Sequence, residues 1–145
     1  MFAPSRDEAR RFFFDTWKKY GRSEALSALE TVALRVITLH PEYQPLLDRP
    51  DQHLDRDYSP QDGQINPFLH LALHFAVEEQ LAIDQPRGIR SHYQRLVTRS
   101  GSEHDAKHVV LECLGETIWQ AQRHGTPPDE KIYLECLVRR SGESP

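Results

Sequence analysis

A chain of 145 residues with a net charge of −4 has room for one core of its own, and its acidity argues against general nucleic-acid binding. No apolar run approaches the roughly 18 residues of a membrane span, and MFAPSRDEARRFFF puts acidic residues where a secretory leader needs apolar ones. No membrane partner is therefore expected, and the expected localisation is cytoplasmic.

In chain order, Ser5 followed by Arg-Asp-Glu opens a first helix that should run to Tyr20 and stop at Gly21. Phe13, Phe14 and Trp17 share one face of it. Ser27 and Glu30 have capping-box spacing, and Leu29, Val32, Ala33, Val36 and Ile37 carry a second helix to His40, before Pro41. A short helical turn is expected around residues 43–47.

Residues 48–66 are acidic and irregular, with Asp48, Asp51, Asp55, Asp57 and Asp62. The alternation Asp55, Asp57, Ser59 faintly suggests a calcium loop. Pro60, however, stands where the turn glycine belongs and Asn66 where a bidentate Glu belongs, so calcium is rejected.

Asn66-Pro67 is an N-cap and N1 pair for a third long helix ending before Pro86. Residues 88–100 suit a short basic helix. Ser102 and Asp105 cap a helix that should end at Gly125. Thr126-Pro127-Pro128-Asp129 starts a last one through Leu134 and Leu137. Strand signals are nearly absent, so the fold class is all-α, a single-domain bundle of five or six helices over residues 1–145.

Two of these helices repeat one polar ladder. His70, His74 and Glu78 recur as His104, His108 and Glu112, each an H-x3-H-x3-E run. Four-residue steps stack side chains on one helical face, about 6 Å apart along the axis. Two imidazoles so spaced can grip one transition metal ion, and two such helices can close a site between them. If residues 66–124 run up, down and up, the ladder helices are parallel, with His70 level with His104 and Glu78 with Glu112.

The surroundings of the ladders differ. Ala106, Val109, Val110, Cys113, Leu114 and Ile118 fill one arc of the second helix, leaving His104, His108, Glu112 and Glu116 outside it; only Trp119 and Gly115 intrude on the polar side. In the first, Phe68, Leu69, Leu71, Leu73, Phe75, Val77 and Leu81 surround the axis. A helix apolar all round belongs in a core, and its polar stripe is expected to be buried with it.

Six residues therefore form the candidate metal set: His70, His74, Glu78, His104, His108 and Glu112. Imidazoles and carboxylates suit zinc, iron, manganese or nickel, with the two glutamates either ligating or orienting the histidines. The metal-free alternatives, a buried His–Glu network or a solvated face, remain open. His40 can reach the bundle, although capping of a helix C-terminus is the commoner role. His53, His92 and His124 read as surface or helix-end residues.

The two cysteines, Cys113 and Cys136, lack C-x2-C spacing, which argues against a disulfide framework and a cysteine-type zinc site. No nucleophile has an activating context and no phosphate-binding glycine loop occurs, so catalytic residues are not assigned. Arg87, Arg90, Arg95 and Arg99 give the 88–100 helix a basic face for an acidic partner or for solvent. Phe12, Phe13, Phe14 and Trp17 are core or a homodimer contact.

The segments NPFLHLALHFAVEEQ, IDQP-x-GIR and ECLGE-x-IWQAQR, with HPEY and LDRDYSP, cover most of the chain. Together they resemble a small bacterial family known only as a domain of unknown function. That resemblance implies an all-helical protein and brings no activity. In spacing alone, the H-x3-H helices are similar to hemerythrin-like and DinB-like metal bundles; the E-x2-H motif of ferritin-like di-iron proteins is absent. The expected function is a transition-metal site in a small helical protein, with a non-catalytic protein-interaction module as the alternative.

Overall fold

The computed structural model describes residues 6–53 and 66–142. Among them are eight α-helices and one 3-10 turn. The long helices are α1 (Arg6–Gly21), α2 (Ala28–Thr38), α5 (Pro67–Ile83), α6 (Ile89–Ser100), α7 (Glu103–His124) and α8 (Glu130–Arg140). The 3-10 turn Pro41–Tyr43 and the four-residue helix α3 (Gln44–Leu47) follow α2, and a second four-residue helix, α4 (Pro50–His53), lies inside the 48–66 stretch expected to be irregular. The all-α expectation holds, with more helices than the five or six anticipated. The extra pieces are short because Pro41, Pro45 and Pro50 each remove a backbone donor and allow only a fresh first turn. Ser5 and the loop residues Asp55, Asp57 and Asp62 lie outside the described residues.

Caps fall where side-chain chemistry demands them. Ser27 and Glu30 exchange both capping-box bonds at the start of α2. Asn66 Oδ1 accepts from the amides of Phe68 and Leu69, which opens α5. Ser102 and Asp129 start α7 and α8 in the same way. Gly101 and Gly125 close α6 and α7 at φ +75° and +63°, the left-handed region that glycine enters without strain.

The chain divides into two compact units, residues 1–75 and 76–145, with the boundary inside α5. In the first, α1 packs on α2 and α3. Phe13, Phe14, Val36, Ile37, Leu47, Phe68, Leu71 and Phe75 form its core. The i, i+3, i+4 spacing of Arg10, Phe13 and Phe14 puts them on one buried side of α1. Phe75 takes Phe12 and Phe13 edge-on at 5.5 and 6.3 Å, and the Arg10 guanidinium lies 4.6 Å from the centroid of the Phe68 ring. Each buried phenylalanine contributes on the order of 2 kcal/mol by area. Leu29, expected on the core face of α2, is exposed, because the packed arc is Ala33, Val36 and Ile37.

In the second unit α7 packs on α6 and α8, and α6 on α8. Cys113 and Cys136 form a disulfide there, with Cα atoms 5.7 Å apart and both residues buried. This corrects the reading from sequence. The C-x2-C test addresses cysteines on one segment, whereas this pair meets because Cys113 faces the core side of α7 and α8 brings Cys136 to it. Tyr133 donates a 2.6 Å hydrogen bond to Gln80, both buried, and burial raises the Tyr133 phenol far above its ordinary value. Arg90 of the basic helix is not free for a partner: its side chain donates to the carbonyls of Leu81 and Ala82 at the end of α5. Among the described residues no helix is long and apolar enough to cross a membrane.

Candidate metal centre

The local sequence at the end of α2 explains how His40 is posed. Pro41 disfavours helical geometry in the residue before it, and His40 takes φ −128°, ψ 66° as the chain leaves the helix. Its ring folds back so that Nδ1 lies 2.8 Å from the carbonyl oxygen of Val36. A carbonyl only accepts, so Nδ1 carries the proton and Nε2 presents its lone pair. His40 is thus a C-terminal capping residue, one of the two roles open to it from sequence.

The Nε2 nitrogen faces the first ladder. His40 Nε2 and His70 Nε2 are 2.9 Å apart, and the His40 ring meets His74 edge-on with centroids 5.1 Å apart. His70 and His74 have ring centroids 6.4 Å apart, as their shared face requires. Tyr43 lies nearly parallel to His40 at 5.6 Å and edge-on to His70 at 6.0 Å, walling the pair with an aromatic face. Burial holds the Tyr43 phenol above its ordinary range. His40 and His74 are only 3% and 1% exposed, and His70 is half-buried beside them in the first unit.

The other expected site residues are placed differently. Glu78 is ion-paired with Lys107 at 2.8 Å. Glu112 is exposed and bonds Arg140 at 2.7 Å. His104 is exposed while His108 is half-buried, their rings edge-on at 4.3 Å. Each glutamate is thus engaged by a cation, which lowers its availability as a ligand.

His40 is the residue that spacing alone undervalues. It stands 30 residues before His70, and no helical period links them. The only available signals were the His-Pro helix end and the need of a buried imidazole stripe for partners.

From residue 5 to residue 139 the sequence matches a family described as Domain of unknown function (DUF1841). The chain belongs to this family. The match extends over every helix described above, from α1 to nearly the end of α8. No curated protein and no solved structure matches the chain.

Proposed function

We propose that this protein binds one transition metal ion through the paired imidazoles of His40 and His70. Both lie in the first unit, and each can offer one ring nitrogen to a single ion. The observation that carries the reading is the pose of His40, whose Nδ1–H is anchored on Val36 while Nε2 points at His70 Nε2. An imidazole fixed through one nitrogen by a backbone carbonyl, with the other nitrogen turned toward the ion, is the arrangement that metal-binding histidines use. Two nitrogens bound to one tetrahedral ion at about 2.05 Å stand about 3.3 Å apart. The pair at 2.9 Å would need to open by only about 0.4 Å on that geometry.

Neutral imidazoles suit zinc, iron, manganese or nickel, and two of them leave coordination positions for water or substrate. No reaction is assigned. His74, one turn from His70, serves in this reading as a neighbour that excludes water. Glu78, His104 and Glu112 stay outside the ligand set, since each glutamate already has a cation.

A metal-free reading has one observation in its favour: with His40 protonated on Nδ1, a proton on His70 Nε2 satisfies the 2.9 Å contact as an ordinary hydrogen bond. Elemental analysis of protein purified without a His tag or added metal separates the two. The metal reading expects close to one transition metal ion per chain and a melting temperature lowered by chelator. Metal below a tenth of stoichiometry, no uptake on titration and indifference to chelator would leave the hydrogen-bond network as the answer.

A further inference from the structure

A second site of a different kind lies in the first unit. A cavity of about 700 Å³ opens between α1 and the 47–50 segment, and no histidine lines it. That volume falls within the range of small-molecule sites. Its apolar lining comes from Phe14, Trp17 and Leu47, of which Phe14 and Leu47 are buried. Trp17 is held in place, since its indole N–H donates to Asp48 Oδ1 at 2.6 Å, and Tyr20 extends the aromatic surface with its ring 5.6 Å from Trp17.

Charge is distributed unevenly around this lining. Arg11, Lys18 and Arg22 all border the cavity; Arg11 and Lys18 stand seven residues apart on one face of α1, and Arg22 follows in the turn just past its end. Among the described residues none of the three makes an ion pair. Of the two carboxylates on the rim, Asp48 is engaged by Trp17 and Asp15 is the other. Three exposed cations beside an immobilised indole form an arrangement that pairs ring stacking with anion recognition.

We propose that this cavity binds a small planar aromatic anion, its ring against Trp17 and its acidic group on the Lys18 and Arg22 side. The test uses the full chain carrying Trp119→Phe, which leaves Trp17 as the only tryptophan. Two probes are titrated, anilinonaphthalene sulfonate and the uncharged phenylnaphthylamine with the same rings. Expected are one saturable dye site that quenches Trp17 and markedly weaker binding of the neutral probe. Lys18→Ala and Arg22→Ala should each cost roughly tenfold in affinity for the anion, the size of one lost charge-assisted contact. Both side chains are exposed, and helicity by circular dichroism checks that the fold is kept. Equal binding of both probes, anion affinity unmoved in both variants, or no saturable site would each overturn the proposal. His40→Ala should leave dye binding unchanged, so this result stands or falls independently of the metal.

Discussion

The two H-x3-H-x3-E ladders are alike in spacing and unlike in environment. His74 of the first is 1% exposed and sits edge-on to His40, while His104 of the second is exposed, and so is Glu112, which is committed to Arg140. Identical spacing fixes only that the side chains share a face. What decides whether that face meets protein or water is the rest of the helix. The sequence of α5 leaves almost no polar side to turn outward, whereas α7 concentrates Ala106, Val110, Cys113 and Leu114 on one buried arc. Even so, α5 is not wholly enclosed, since Leu69 and Ile83 near its two ends are 55% and 66% exposed.

The largest effect that can break this contrast is on metal. His40→Ala or His70→Ala should reduce bound transition metal, read by elemental analysis, from about one per chain to a trace, because each removes one of the two imidazole ligands. His104→Ala should leave it intact. Equal loss from His104→Ala and His70→Ala would show that the ladders act alike.

Next in size is the covalent link beside the second ladder. Replacing Cys113 and Cys136 by Ala should cost about 3 kcal/mol, as expected for closing a loop of their 23-residue separation, measured by urea unfolding. An unchanged midpoint would mean that packing of α7 on α8 suffices without the bond.

The ladders themselves should differ in stability. His74→Ala removes a buried ring and should cost about 1–3 kcal/mol. His104→Ala, at an exposed position, should cost under about 0.5 kcal/mol. Similar melting temperatures for the two variants would erase the distinction between a buried and a solvated ladder.

The smallest effect is on pH dependence and involves the carboxylates that end α5. Asp84 accepts from the amides of Arg90 and Gly88, and chiefly the Arg90 bond holds its carboxyl below the ordinary range. A depressed folded value lends stability above the unfolded value of about 3.9, lost as pH falls through the folded one. Glu79, next to Glu78, is shifted upward by burial. For it the sign reverses: stability declines as pH rises from the unfolded value of about 4.3 through the folded one. Glu79→Gln should flatten that decline, by no more than about 0.5 kcal/mol at this half-exposed position. Asp84→Asn should flatten the acid-side loss. Melting curves from pH 3 to 7 would show both, and a steeper decline in Glu79→Gln would reverse the assignment.

Much of the fold was legible because its signals are local. Ser27/Glu30, Asn66-Pro67, Ser102 and Asp129 satisfy amides within three residues of themselves, so the caps follow from sequence order. The aromatic run of α1 was legible only as core or contact. The structure buries Phe13 and Phe14 and leaves Trp17 at the edge, bonded to Asp48.

By itself, then, the sequence determined the six long helices, their capping residues and the histidine faces, since these depend on propensity, capping and a period of 3.6 residues, but not the short helix Pro50–His53. Tertiary structure decided which groups arrive opposite those faces. His40 reaches His70 across 30 residues, Cys113 reaches Cys136 across 23, and Lys107 and Arg140 come to occupy Glu78 and Glu112. Partners separated in this way are selected by packing and desolvation, which act on whole helices and leave no local period in the chain to be read.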